Sequence, residues 1–133
     1  MLAIRFHGRG GQGAKTASRI AGTAAFLDGY HAQDSPIYGA ERRGAPVSAF
    51  TRIAKEPIHE RGLISRPDIV IVADASLIED PAARVLDGVD QRTVVFVNSP
   101  FGAEQFRAQT PIPGHLVTMN LNEMALQHFG KRG

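Results

Sequence analysis

The sequence predicts a three-layer α/β/α open sandwich, built on one mostly parallel sheet with helices on both faces. Three observations carry this. A short β-type run, Leu2 to Phe6, ends in a cluster of glycines and passes directly into an alanine-rich segment with helical apolar spacing. Two continuous β-branched runs, Asp68 to Asp74 and Thr93 to Asn98, have the composition of strands covered on both faces. Strand and helix patterns then alternate almost to the end of the chain. With 133 residues there is room for one domain and one core, so 1–133 reads as a single unit.

Each element has its own reason. Ala14 to Leu27 carries apolar residues at Ala17, Ile20, Ala21, Ala24 and Ala25. These small side chains let a helix lie close to a sheet, and Asp28-Gly29 supplies the stop. Tyr30 to Asp34 reads as a second short strand, followed by a turn-rich stretch from Ser35 to Pro46. Val47 to Ile53 alternates like a strand. Because only a loop separates it from its predecessor, an antiparallel pairing there would make the sheet mixed. Asp80 to Leu86, with Pro81 in the first turn, reads as a helix between the two buried strands. His115 to Met119 is a last strand, and Leu121 to Phe129 a helix ended by Gly130.

Composition excludes several chemistries. The chain has no Cys, so it can offer neither a disulfide, a thiolate zinc site, a cysteine nucleophile nor the ligands of a thiolate-bound iron–sulfur cluster. It has no Trp, and its Tyr and Phe residues are scattered, so no stacking platform for single-stranded nucleic acid is expected. No apolar run approaches the roughly 20 residues of a membrane helix, and no basic, apolar leader follows Met1, so a cytoplasmic protein with neither nucleic-acid nor membrane partners is expected. The charge is uneven: up to Arg66 there are ten Lys/Arg against five Asp/Glu, and from Pro67 five against eight. Twelve of the fifteen basic residues are Arg, suited to planar contact with phosphate or carboxylate. The front half is thus fitted to an anionic ligand or an acidic partner surface.

The glycine cluster Gly8-Arg9-Gly10-Gly11-Gln12-Gly13 fits G-x-G-x-x-G through Gly8, Gly10 and Gly13, between a strand and a helix, with Asp34 at the end of the next strand. In that Rossmann-like context the glycines allow a tight turn and close approach, and the helix N-terminus attracts a phosphate. A free-standing NAD(P)-binding protein is therefore one reading. The same stretch misses G-x-x-x-x-G-K-[ST] by one residue, because Ala14 separates Gly13 from Lys15 and turns Lys15 and Thr16 by about 100° around a helix. A third reading is structural, in which the turn packs the helix, binds nothing, and the chain serves as an assembly scaffold. What all share is a concavity of backbone N–H groups flanked by Arg9, Lys15 and Arg19.

The second motif is Ser35-Pro36-Ile37-Tyr38-Gly39-Ala40-Glu41-Arg42-Arg43-Gly44-Ala45-Pro46-Val47, with charges and an aromatic set between glycines. Taken with Gly8 to Ala17 and the strand from Pro67 to Asp74, in that order, the chain resembles the gamma subunit, or gamma domain, of the 2-oxoacid:ferredoxin oxidoreductases, from Ile4 to about Gly130. The Arg-Arg-Gly-Ala-Pro-Val run looks more like the pyruvate- and arylglyoxylate-type members than the 2-oxoglutarate type. The resemblance implies a subunit of a complex that decarboxylates a 2-oxoacid on thiamine diphosphate, passes electrons through [4Fe–4S] clusters and hands the acyl group to coenzyme A. Thiamine diphosphate and clusters are implied in alpha-, beta- and delta-type partner subunits, none held by this chain alone, and the isolated chain is expected to be inactive. This subunit is implied to contribute assembly and coenzyme A contact. The residues matching the first motif are Gly8, Gly10, Gly11, Gln12, Gly13 and Thr16, joined by Arg9 and Lys15 as cationic flanks. Those matching the second are Tyr38, Gly39, Glu41, Arg42, Arg43 and Gly44. The resemblance also implies a further glycine-rich, apolar helical segment after the 121–129 helix. The chain reaches Gly133 without it, so weaker assembly is expected.

Other chemistry is not supported. His7, His31, His59, His115 and His128 have no metal-ligand spacing, although His7 stands just before the glycine turn. Ser35, Ser48 and Ser99 lack a nucleophile-elbow context. Asp74 ends a buried strand where α/β sites occur, and a helix cap is its expected role.

Overall fold

The computed structural model describes residues 1–36 and 44–130. Its strands are β1 (Leu2–Arg9), β2 (His31–Pro36), β3 (Pro46–Ala54), β4 (Ile69–Val72), β5 (Val94–Asn98) and β6 (His115–Met119). Its helices are α1 (Ala14–Leu27), α2 (Ala103–Gln109) and α3 (Leu121–Phe129). The strands form one sheet in the order β2-β3-β1-β4-β5-β6. β1, β4, β5 and β6 are parallel neighbours, whereas β3 lies antiparallel to both β1 and β2. The sheet is therefore mixed. Among the described residues no helix is long and apolar enough to cross a membrane.

The period-2 alternation of β1 divides its side chains between two cores. Ile4 and Phe6 face α1, where with Ala14 and Ala49 they form a buried cluster extended by Ala21, Ile53, Ile69 and Ile71. Ala14, Ser18 and Gly22, spaced four apart, are the buried line of α1. That small-residue line lets the helix settle over β3, and a polar lock sits within the contact. Ser18 Oγ lies 2.7 Å from Thr51 Oγ1, and Thr51 Oγ1 donates to the Ser18 carbonyl at 3.0 Å.

The opposite face carries the larger core: Val70 and Val72 of β4, Val95 and Val97 of β5, with Leu77, Ala83, Val85 and Ile112 laid over them. These covering residues come mostly from tight turns. Where a helix over Asp80 to Leu86 was expected, only a short 3-10 turn stands at Pro81–Ala83, the second of two that follow β4, the first being Ala75–Glu79. Asp80 caps the second by accepting from Ala82 N, and Arg84, at φ 53°, ends it. The true helix on this side is α2, from which Phe106 reaches the core.

On the same face, opposite α1 and under β1, the guanidinium of Arg5 is buried. Its Nε donates to His7 Nε2 at 2.9 Å, its Nη1 to the Ile64 carbonyl, and its Nη2 to the carbonyls of Val85 and Asp87. It ties two irregular segments to the sheet beside the small cluster of Ala3, Phe50 and Ile64.

Candidate functional site: a glycine turn at the sheet's switch point

β1 and β4 are adjacent and parallel, and the chain leaves their carboxyl ends in opposite directions. From β1 it passes through α1 toward β2 and β3. From β4 it passes through the 3-10 turns toward β5. In open α/β sheets the crevice at such a reversal is where ligands bind. The glycine turn occupies it. Gly11 and Gly13 take φ values of +91° and +87°, in the left-handed region that favours glycine. Gln12 N closes the turn on the Arg9 carbonyl at 2.9 Å, while Gln12 Oε1 accepts from Arg9 N at 2.7 Å.

Gly13 is the N-cap of α1 and offers no side-chain cap, and the first turn of the helix has no acidic residue. The partial positive charge of the helix start is thus left facing a cleft of about 750 Å³. Residues 9–16 and Val47 line it, which brings Arg9, Gly10, Gly11, Gln12, Gly13, Lys15 and Thr16 together, with Gly8 at the end of β1 behind them. Arg19 lies one turn further along α1, exposed and outside this lining.

The antiparallel run of β3 brings the second motif here. Since β3 starts where β1 ends, Pro46 pairs with Arg9. The pairing continues beyond the strands, with Gly10 N donating to the Ala45 carbonyl at 2.8 Å and Gly44 N to the Gly10 carbonyl at 3.2 Å. The described end of the second motif is therefore bonded directly to the first. Tyr38, Gly39, Glu41, Arg42 and Arg43 lie outside the described residues.

A side-chain knot joins this edge to β4. Asp74 Oδ2 accepts from Arg9 Nε at 3.2 Å and Gln12 Nε2 at 3.3 Å, and Oδ1 accepts from Ser76 N at 3.0 Å and Ser76 Oγ at 2.6 Å. Arg9 uses its other nitrogens on the Gly44 carbonyl at 3.0 Å and on Ser76 Oγ at 2.9 Å. The hydrogen bonds from Ser76, then those of Gln12 and the charge of Arg9, hold the Asp74 carboxyl below its ordinary range against a partial burial that raises it. Asp74 caps the turn at Ala75–Glu79, as its position after a buried strand indicates, and it also reaches the glycine turn. Ser76 was not singled out in the sequence. The readable trace was the Asp-x-Ser pattern at a strand's carboxyl end, a turn-capping signature.

Asp34 does not stand where a ribose-binding acid would. β3 intervenes between β1 and β2, so Asp34 pairs with Thr51 two strands from the glycine turn, and its Cβ lies beside Gly22 in the middle of α1. This placement does not favour the NAD(P) reading. His7 is buried on the face opposite α1 as the acceptor of Arg5, and burial followed by the charge of Arg5 pushes its pKa down to about 3. A larger apolar groove of about 990 Å³ lies at the other end of α1, with Ala21, Ala25 and Ile53 in its wall. Its lining mixes those apolar walls with Asp28, Lys55, Glu56 and Glu60, whereas among the described residues the glycine cleft is lined by basic and neutral groups at a helix start, the better match to an anion.

Comparison with known proteins supplies the remaining observation. The family described as Pyruvate ferredoxin/flavodoxin oxidoreductase matches residues 3–133. The chain is 43% identical over 131 residues to the pyruvate/ketoisovalerate oxidoreductases common subunit gamma of Pyrococcus furiosus, covering 98% of this chain and 70% of that one. It is 43% identical over the same length to the pyruvate synthase subunit PorC of Methanothermobacter marburgensis. The crystal structure of the pyruvate oxidoreductase subunit PORC from Thermotoga maritima superposes with a TM-score of 0.82 at 35% identity, covering 98% of this chain and 68% of that one. The chain thus spans about 70% of the length of these relatives. With its sheet, its glycine turn and its sequence all in agreement, the chain belongs to the pyruvate ferredoxin/flavodoxin oxidoreductase family, as a gamma-type subunit.

Proposed function

We propose that this gamma-type subunit supplies a phosphate-binding cradle for coenzyme A inside a cytoplasmic 2-oxoacid oxidoreductase. The thiamine diphosphate and iron–sulfur chemistry belongs to its alpha-, beta- and delta-type partner subunits. The observation that carries the reading is the uncapped start of α1 behind the Gly11–Gly13 turn, opening into a cleft at the β1/β4 switch point. Coenzyme A presents a pyrophosphate and a 3′-phosphate, and oriented N–H groups with Lys15 and Thr16 beside them offer charge-assisted hydrogen bonds to such oxygens. Because the chain has no Cys, electron transfer through thiolate-bound clusters falls to the partners. The names of the relatives and the Arg-Arg-Gly-Ala-Pro-Val run support pyruvate or a similar 2-oxoacid as substrate.

The test is steady-state kinetics of the assembled oxidoreductase with coenzyme A as the varied substrate. Lys15→Gln with Thr16→Val is expected to raise the coenzyme A KM about tenfold with kcat held, as for loss of ground-state and transition-state binding alike. Dephospho-coenzyme A tested alongside tells whether the 3′-phosphate is the group bound. An unchanged KM in the double variant would leave the chain as an assembly scaffold and overturn the proposal.

A further inference from the structure

The knot at the end of β4 has no evident purpose for the sheet alone, since β1 and β4 are already paired in register from Ile4–Ile69 to His7–Val72. It begins where that ladder stops, and every bond in it ends on the glycine turn, on Gly44 or on the cap at Ser76. We infer that Asp74 is a positioning residue of the anion cleft: through Arg9 and Gln12 it fixes the glycine turn against the Gly44–Ala45 segment, so the cradle is formed before its ligand arrives. This rests on the phosphate-binding reading of the same cleft.

The geometry assigns the work as follows. A single carboxylate oxygen, Asp74 Oδ2, accepts from Arg9 Nε and from Gln12 Nε2. Gln12 turns its other amide atom back onto Arg9 N, so the carboxylate reaches the main chain of the turn through one side chain. Arg9 carries the restraint the other way, from Asp74 to the carbonyl of Gly44, whose own N–H is held by Gly10. Arg9 is thus engaged by three protein oxygens, which suits it to holding the wall of the cleft, and leaves contact with phosphate to the helix start. A turn with two residues at positive φ has many alternatives when unrestrained, and ordering it beforehand lowers the entropic cost of binding.

The experiment uses the assembled oxidoreductase carrying Asp74→Asn, Arg9→Lys or both. Asn keeps an oxygen for the Ser76 cap while removing the charge that Arg9 needs, and Lys keeps the charge of Arg9 but cannot span three acceptors. Each single variant is expected to raise the coenzyme A KM about fivefold to tenfold with kcat within twofold. The double variant should match the worse single one, because the two residues act through one another. Hydrogen exchange of the peptides covering residues 8–13 and 44–47, read by mass spectrometry without ligand, should quicken about tenfold in Asp74→Asn. Unchanged exchange there, or effects on KM that multiply in the double variant, overturns the inference. Failure of the phosphate reading looks different: exchange quickens as expected while the coenzyme A KM ignores Asp74→Asn and Lys15→Gln alike.

Discussion

At the scale of single residues, the buried pair Arg5 and His7 makes the sharpest claim. Both are almost fully enclosed, and His7 accepts from Arg5 only while its Nε2 is unprotonated. The folded pKa near 3 lies below the usual 6.5, so between those values the unfolded chain binds a proton that the folded chain refuses. Stability from this site is whole above about pH 6.5 and is lost as pH falls toward 3, by at most about 1.4 kcal/mol per pH unit. Thermal unfolding of the subunit at pH 4.5 and pH 7 measures this directly. His7→Gln, which keeps an acceptor for Arg5 and cannot titrate, should narrow the gap between the two midpoints. Arg5→Met leaves the carbonyls of Ile64, Val85 and Asp87 without this donor and should cost about 3 kcal/mol or more at neutral pH, read from denaturant midpoints. None of this was visible in the sequence. Arg5 and His7 there are two polar residues alternating with apolar ones, the pattern of a strand with one wet face, whereas both faces of β1 are covered.

At the scale of elements, helix α1 shows what periodicity can and cannot convey. Its span matches the expectation from Ala14 to Leu27, because alanines in helical spacing are a strong local signal. The contact face, however, is the Ala14, Ser18 and Gly22 line, and Ile20, Phe26 and Leu27 point outward. Apolarity alone would have turned the helix the other way. Close approach decided it, and the Ser18–Thr51 lock is the consequence. Ser18→Ala or Thr51→Val alone removes the bond between the two hydroxyls but leaves the surviving one a main-chain carbonyl, that of residue 18 for Thr51 and that of Phe50 for Ser18, so each should cost about 1 kcal/mol by chemical denaturation. The double variant should cost less than the sum of the two. The strands β6 and the helix α3 were legible with their bounds because each is bracketed by strong signals, such as Asn120, which caps α3 by accepting from Glu123 N. Asp80 to Leu86 reads as a helix in the sequence because Pro81 and two alanines favour either form, whereas the structure has only the 3-10 turn Pro81–Ala83 there. The left-handed Arg84 that ends it has no local signature. Helix α2 is seven residues long with none buried, too short to show a period.

At the scale of the whole molecule, the glycine turn and the start of the second motif were readable as motifs, but their meeting was not. Residues 10 and 45, or 9 and 74, are joined only by strand order, and strand order is a property of the complete sheet. The molecule also carries uncovered apolar surface away from the cleft. Val117 and Met119 on the α1 side of β6, and Met124 and Phe129 on α3, are exposed. The subunit without partners is accordingly expected to self-associate with rising concentration, and Val117→Thr with Phe129→Gln should reduce the effect in sedimentation velocity. The same solitary subunit, given a 2-oxoacid, coenzyme A and an electron acceptor, should show no turnover.

The reversed direction of β3 has a bearing on how the chain acquires its ligand site in time. One wall of the cleft comes from residues near position 10 and the other from residues near 45, and they are held together by the ladder that zips Leu2 against Ile53 at its far end and Arg9 against Pro46 at its near end. A nascent chain that has made only its first strand and helix owns the glycines without the enclosure. During refolding, affinity for an anionic probe should rise in step with this ladder and lag behind helix formation, which makes probe binding a clock for the slower, non-local step.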